Sequence, residues 1–228
     1  MHHSLLSRTA GIAILAAAAA VSSAHERYFA YTYAWYTPYR FEREVELHWT
    51  QFEGGNSNIQ FEYEYGVTDR WAVAPYLLFE REGGKTKFEG FKLEQRYRFG
   101  EFGHRKLMPA IYLEVEKEND HPYELEGKLI GSYLPNQDWI FSGNLIFSRA
   151  LESGAKTEYG YSMGIANKLP RNRQVGIEAF GSFDHNTHYV GPTFGFGTSY
   201  DTKFLGTAAV PIAGGGPFQF RLVLEREF

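Results

Sequence analysis

The chain has 228 residues, no cysteine, and a formal net charge of −4 when its histidines are neutral. The negative charge argues against nucleic acid as a partner, and the absence of cysteine excludes disulfides, thiolate metal ligands and a thiol nucleophile. Aromatic residues make up 17% of a chain whose mean hydropathy is only −0.38, which indicates that apolar residues alternate with polar ones instead of forming long runs.

The N-terminus predicts an exported protein. Arg8 precedes an apolar run over residues 11–21, which is too short to cross a bilayer as a helix. Ser22, Ser23 and Ala24 then supply the small residues that a signal peptidase accepts. We therefore expect a signal peptide over residues 1–24, cleaved before His25. A buried N-terminal helix is the alternative.

Residues 25–41 are rich in aromatic side chains and precede the first clear alternating segment. Three interpretations are open for them: an additional strand, a plug inside a barrel lumen, or a periplasmic lead-in. An additional strand would give an odd strand number, whereas single-chain bacterial barrels have an even one. We therefore favour a lead-in or a plug.

From residue 42 onward, apolar and polar side chains alternate with the period of two that is typical of β-strands. Val45, Leu47 and Trp49 lie on one face of the first such segment, and Glu44 and Glu46 lie on the other. No segment has a helical period. The predicted strands are 42–52, 58–67, 71–80, 88–99, 108–117, 123–133, 139–149, 158–168, 174–184, 188–199, 203–212 and 218–228.

These strands are long enough to cross the hydrocarbon layer when tilted. We predict one all-β domain over residues 42–228, a transmembrane antiparallel β-barrel of about twelve strands, with about ten or fourteen strands as alternatives. The competing fold is a soluble β-sandwich or lipocalin-like barrel. That fold alternates in the same way but turns its charged face outward.

The predicted connections fall into two alternating sets. Short periplasmic turns opposite longer outer loops are typical of outer-membrane barrels, and this arrangement places both termini in the periplasm. The predicted short set is 68–70, 101–107, 134–138, 170–173 and 200–202. The predicted longer set is 53–57, 81–87, 118–122, 150–157, 185–187 and 213–217.

The last predicted strand ends on Phe228. In this the chain resembles the bacterial outer-membrane β-barrel superfamily, whose members commonly close the barrel with a strand that ends in an aromatic residue. The resemblance implies that Phe228 is read by the barrel assembly machinery and that outer-membrane lipid surrounds the chain. Arg226 departs from the pattern, because such strands usually carry an apolar residue there.

Two phrases, residues 65–70 and residues 190–194, are similar to those of small uncharacterised barrels described as transporters. These include the family associated with phenol-degradation operons. The similarity implies a location in the outer membrane far better than it implies a substrate.

In a membrane barrel the polar strand faces line the lumen, and here carboxylates outnumber cations. This favours a passive pore for small polar or cationic solutes. A lumen packed shut by networks of Glu with Arg or Lys, in a structural or adhesion barrel, is the alternative. The predicted lumen-lining residues are Glu44, Glu46, Glu62, Glu64, Glu94, Arg96, Arg98, Glu114, Glu116, Glu124, Glu126, Lys128, Glu178 and Arg221.

The hairpin that joins the first two strands makes a more specific prediction. It places Glu44 and Glu46 opposite Glu62 and Glu64, so that four carboxylates share one wall. Such crowding requires cationic partners or bound protons. Arg96 and Arg98 are the predicted partners.

No enzyme motif was found. The nearest approach to a nucleophile with a base is the group Ser182, Asp184, His185 and His188, whose spacing matches no known motif, so we predict no catalytic residue. A lipid-modifying barrel enzyme is the third functional hypothesis. The weak candidates for metal ligands are Asp120, His121, Asp184, His185 and His188. No compact motif joins them, so neither a metal site nor a cofactor is expected.

Overall fold

The computed structural model describes residues 27–199 and 201–228. The predicted signal peptide lies outside these residues. The described chain forms twelve strands: β1 (Arg43–Phe52), β2 (Ser57–Thr68), β3 (Trp71–Glu82), β4 (Lys85–Arg98), β5 (Leu107–Glu118), β6 (Glu124–Tyr133), β7 (Trp139–Ala150), β8 (Glu158–Leu169), β9 (Arg173–Ser182), β10 (Thr187–Ser199), β11 (Thr202–Ala213) and β12 (Gln219–Glu227). No helix in the described part of the chain is long and apolar enough to span a membrane.

The strands form one closed antiparallel barrel. Each pairs with its neighbours in the chain, and β12 returns to pair with β1. The all-β fold and the strand number predicted from the sequence are confirmed, and the predicted strand bounds differ from the observed ones by only a few residues. The closure follows from the even strand number, because an up-and-down sheet brings its first and last strands antiparallel only when that number is even.

The barrel turns its charged residues inward and its apolar residues outward. Glu44 and Glu178 face the lumen and are 1% and 0% exposed. Leu77 and Leu145 lie on the outer face of the barrel and are 50% and 60% exposed. A water-soluble barrel has the opposite distribution. An apolar outer surface around a charged lumen is the arrangement of a barrel that faces lipid, and it rules out the soluble sandwich or lipocalin-like alternative.

The two ends of the barrel differ less than the sequence suggested. The connection at 81–87, predicted as a longer loop, is a tight turn at Gly83 and Gly84, because both glycines adopt positive φ angles of 57° and 79° and so permit a two-residue hairpin. Residues 99–106, on the side predicted to carry short turns, form a long connection. The predicted contrast in loop length between the two ends is therefore wrong.

We name the two ends by their contents. The terminal end carries Arg43 and Phe228, whose backbone N–H donates to the Arg43 carbonyl at 2.9 Å. It also carries the turns at 69–70 and 134–138, in which Thr68 and Asn136 side chains accept backbone N–H groups of the turn. The opposite end carries the β1–β2 connection and every second connection after it.

Residues 27–42, here called the lumenal segment, form no strand. Residues 27–38 lie inside the barrel, and Tyr39 and Phe41 are exposed at the terminal end. Phe29, Ala30 and Thr37 have no exposed surface, and Tyr28 and Trp35 are also buried. The segment packs against lumen-facing side chains and meets β1 at Arg43.

Candidate functional site

One wall of the lumen, built from β1 to β5, is charged. The register of the first hairpin pairs Glu44 with Glu64 and Glu46 with Glu62, so the predicted pairing of these four glutamates is confirmed. All four side chains are buried. Four carboxylates on one patch repel one another strongly where water is scarce, so the patch requires cations or bound protons nearby.

Cations reach this wall from two directions. Arg96 forms ion pairs with Glu64 and, at 2.8 Å, with Glu94, as the sequence predicted for Glu64. Arg27, from the lumenal segment, pairs with Glu46. Arg98, the other predicted partner, instead donates from Nε to the Asp69 carbonyl at 2.8 Å and so anchors a turn at the terminal end.

Towards the opposite end the wall alternates in sign. Lys92 lies 2.8 Å from Glu114, and Lys128 lies 2.8 Å from Glu126. Lys128 also stands 3.8 Å from the ring centre of Tyr112. These pairs neutralise the wall between the four glutamates and the opposite mouth.

His48, which the sequence analysis did not include, connects the carboxylates to Arg221. Its Nδ1 lies 2.6 Å from the Arg221 guanidinium, and its Nε2 lies 2.7 Å from Glu46 and 3.1 Å from Glu62. A guanidinium only donates hydrogen bonds, so His48 Nδ1 accepts one from Arg221. Nε2 therefore carries the hydrogen and donates hydrogen bonds to Glu46 and Glu62. The side chain is 1% exposed.

This tautomer bears on metal binding. Glu46, His48 and Glu62 offer three ligand atoms within 4.8 Å of one another, and Glu44, Glu46 and Glu225 form a similar group. A metal on His48 requires a lone pair at Nε2, whereas the contact with Arg221 places the proton there. The arrangement at His48 is therefore a hydrogen-bonded network.

The other wall, from β6 to β9, carries mostly small or uncharged side chains around Glu178, and it holds the lumenal segment by its backbone. Glu178 accepts the backbone N–H groups of Ala30, Tyr31 and Thr32 at 2.9 to 3.0 Å. Asn144 accepts the N–H of Tyr33 at 2.8 Å and donates to its carbonyl at 2.9 Å. Small buried residues of this wall, such as Ser142, Ser162 and Gly164, leave space that the segment fills.

The lumenal segment also reaches across to the charged wall. The Tyr33 hydroxyl donates to Glu94 at 3.0 Å, and the Tyr33 ring lies 4.4 Å from Lys128. The Tyr31 hydroxyl donates a hydrogen bond to Oε1 of Gln219 in β12 at 3.0 Å. Together with the Arg27 pair to β1, these contacts extend around the barrel, so the segment crosses the lumen.

Cavities lie towards both ends of the barrel. The one at the terminal end, about 300 Å³, is lined mainly by aromatic and aliphatic residues, among them Trp35, Tyr36 and Phe102. The one at the opposite end, about 260 Å³, is lined by four glutamates, three apolar residues and three other polar residues. The glutamates are Glu80, Glu89, Glu116 and Glu118. The two mouths thus differ in chemistry, and the acidic mouth favours cations.

The remaining predicted lumen residues lie where the strand pattern placed them. Glu116 is half-buried and Glu124 is exposed at the opposite mouth. Glu178 binds the lumenal segment instead of facing open space. The search for charges missed the neutral residues Ser132, Asn144 and Gln174, although the same alternation that marked the glutamates also turns these side chains inward.

The loop residues considered as catalytic or metal-binding have other contacts. His185 pairs with Glu158 at 2.9 Å, and Asp184 accepts the backbone N–H of Tyr159. His188 Nδ1 lies 3.3 Å from the Tyr161 hydroxyl. Among the described residues, the groups with metal-ligand geometry do not include Asp120 or His121.

Comparisons with known proteins identify the fold. No family model and no curated protein sequence matches the chain. Among solved structures, the KdgM porin in complex with disordered oligogalacturonate has a TM-score of 0.64 at 9% identity, covering 81% of this chain and 99% of that one. The NanC porin has a TM-score of 0.64 at 5% identity, covering 80% and 98%.

An outer membrane channel from Pseudomonas putida F1 is similar to the same degree, with a TM-score of 0.61 at 10% identity, covering 85% of this chain and 97% of the channel. All three are bacterial outer-membrane channels or porins, so the chain has the fold of such barrels. At this level of identity the likeness concerns the fold alone.

Proposed function

We propose that this chain is a passive pore of the bacterial outer membrane, exported by the signal peptide at residues 1–24, for small polar solutes with a preference for cations. In the described conformation the lumenal segment closes the pore. The apolar outer surface supports the membrane location. The likeness of the fold to the KdgM and NanC porins supports transport without naming a solute.

The observation that carries the proposal is the incomplete bonding of the charged wall. Among the described residues, no hydrogen-bond donor reaches the buried Oε1 atoms of Glu62 and Glu64 or the Oε2 atom of Glu225. A buried polar atom without a partner costs about 1–3 kcal/mol, and a charged one costs more. Water relieves this cost, so the wall is better suited to a hydrated lumen than to a permanently dry one.

The sign of the wall sets the predicted selectivity. Glu44, Glu46, Glu62 and Glu64 form one acidic patch, and the cavity at the opposite mouth is also acidic. Fixed negative charge raises the local concentration of cations, and the effect declines as salt shortens the screening length.

Reversal potentials under a salt gradient test this function. Purified full-length protein in planar bilayers should conduct in brief openings with a cation-to-anion permeability ratio above one. Replacing the four glutamates together by glutamine should lower the ratio, and the difference should shrink at about 1 M salt. An unchanged ratio in the quadruple variant would mean that these residues do not line the conducting path.

A non-conducting structural barrel is the second candidate, and the contacts of the lumenal segment around the barrel favour it. It predicts that displacement of the segment produces no current. Single-channel current through a variant whose lumenal segment is displaced distinguishes the two.

A further inference from the structure

We propose that the wall of the lumen from β6 to β9 is a binding site for an extended polypeptide backbone, which the lumenal segment occupies in cis and which a second polypeptide can occupy when the segment leaves. The inference does not depend on conduction. It rests on the atoms through which the wall and the segment meet.

The wall contacts main-chain atoms of the segment at six of the eight residues from 28 to 35. These contacts are called here the backbone cradle. Gln174 Nε2 donates to the Tyr28 carbonyl at 2.6 Å, and Glu178 accepts the N–H groups of Ala30, Tyr31 and Thr32 at 2.9 to 3.0 Å. Asn144 bonds both backbone groups of Tyr33 at 2.8 and 2.9 Å, and Ser132 Oγ accepts the N–H of Trp35 at 2.9 Å. Every residue has a main-chain carbonyl, and every residue except proline has a main-chain N–H, so these contacts do not select a sequence.

The cradle side chains are held in place by the barrel itself. Asn144 Oδ1 accepts the Ser162 hydroxyl at 2.9 Å, Ser132 Oγ lies 2.6 Å from Ser142 Oγ, and Thr207 donates to Glu178. All of these bonds join one strand residue to another. The donors and acceptors are therefore oriented by the wall and do not depend on the segment for their positions.

The wall is also shaped for a close approach by a backbone. Gly164, the residue paired with Glu178 on the neighbouring strand, faces Phe29, and a Cβ at this glycine would lie 2.4 Å from the Phe29 ring. A side chain there would fill the space that the peptide takes. This combination of a small-residue floor with fixed amide and carboxylate partners is a peptide-binding surface.

The occupant in cis has a large advantage over a competitor. A tethered segment has an effective concentration on the order of millimolar. A free peptide therefore binds only when the tethered one is disabled and the cradle is intact. Proline at positions 30 and 32 does this, because it removes two of the N–H groups that Glu178 accepts and leaves every wall residue unchanged.

The test uses the full-length chain with Ala30→Pro and Thr32→Pro in detergent micelles, with heat-modifiable electrophoretic mobility as the check of folding. The probe is a fluorescein-labelled peptide of residues 27–42, followed by anisotropy. The proposal expects saturable binding below about 1 mM, the concentration against which the tether competes. Adding Glu178→Gln should weaken binding roughly ten-fold or more, because it weakens three charge-assisted hydrogen bonds.

Two altered peptides separate backbone recognition from side-chain recognition. A peptide with Tyr31→Phe and Thr32→Val keeps every amide and should bind within about ten-fold of the original. A peptide with proline at positions 30 and 32 should not bind. Equal binding of the proline peptide, or no binding of the unaltered one, overturns the proposal.

A second measurement holds if the proline variant of the protein does not fold. In the chain without substitutions, the amides of residues 30–32 should be protected from hydrogen exchange, and Glu178→Gln should accelerate their exchange roughly ten-fold or more. The amide of Ala34, which makes no cradle contact among the described residues, serves as the internal reference. Unchanged exchange at residues 30–32 in this variant contradicts the role of Glu178.

Discussion

At the scale of single residues, two contacts in the lumen each depend on one residue that no neighbour can replace. Phe29 has no exposed surface, and Gly164 supplies the space that its ring occupies. His48 is the shared donor for Glu46 and Glu62 and the acceptor for Arg221. In each case the neighbouring strands fix the geometry, so a small change at one residue acts on the whole contact.

Gly164→Ala should loosen the lumenal segment. The new Cβ would meet the Phe29 ring at 2.4 Å, and such overpacking costs about 1–3 kcal/mol. Chymotrypsin should then cleave the segment at its aromatic residues roughly 5 to 150 times faster, because cleavage follows the population of the displaced state.

Gly143→Ala is the matched control, since a Cβ there meets only the Ser162 carbonyl oxygen, at 4.0 Å. It should leave the cleavage rate unchanged. Phe29→Ala combined with Gly164→Ala should restore space at the contact. Equal cleavage rates in the two glycine variants would show that Phe29 does not seat against Gly164.

His48→Ala should destabilise the barrel by about 3–5 kcal/mol, the usual cost of leaving buried charges without their partner. Urea-driven unfolding in lipid vesicles, followed by tryptophan fluorescence, measures the loss. His185→Ala is the comparison. Its ion pair with Glu158 is largely exposed, and such pairs contribute about 0–1 kcal/mol. Similar losses of unfolding free energy in both variants would contradict the idea that His48 connects the buried glutamates to Arg221.

At the scale of elements, alternation with a period of two was sufficient to predict every strand, because inward-facing residues are mostly polar or small and outward-facing residues are mostly apolar. The sequence did not predict the turn at Gly83 and Gly84, since charged residues flank it on both sides and resemble a loop. Nor could it place residues 25–41, for which it left a lead-in and a plug open. The position of the lumenal segment follows from long-range contacts, such as Ala30 with Glu178, that no local pattern encodes.

The last strand contains one departure from the common pattern, and the structure explains it. Arg226 points to the terminal end, where it pairs with Asp201 at 2.9 Å, so its charge stays at the rim. Phe228 is 61% exposed beside it. Phe228 thus lies accessible next to the seam between β12 and β1.

Deletion of Phe228 should reduce insertion into the outer membrane, because the terminal aromatic is our proposed assembly signal. The amount of heat-modifiable barrel in cells measures the effect. Phe218→Ala, directly before β12 at the opposite end of the barrel and also exposed, should assemble normally. Normal assembly without Phe228 would remove the role assigned to it.

At the scale of the whole molecule, the distribution of polarity predicts location. The outer surface is apolar, and the charges lie in the lumen. The protein should therefore sediment with outer membranes and remain there after a wash with salt, which releases proteins bound by surface charge alone. Recovery as a soluble periplasmic monomer would contradict the membrane assignment.

The proposed pore has two parts, a charged lumen that conducts and a lumenal segment that closes it. Single-channel current in planar bilayers tests this most directly, with the unsubstituted chain compared with the Ala30→Pro and Thr32→Pro chain. Ala34→Pro is the control, because the Ala34 amide makes no wall contact among the described residues. The unsubstituted and control chains should show brief, rare openings, because the lumenal segment stays in place. The double variant should show a sustained, cation-preferring current. A folded double variant that remains silent would contradict the proposed pore and leave the structural barrel as the function.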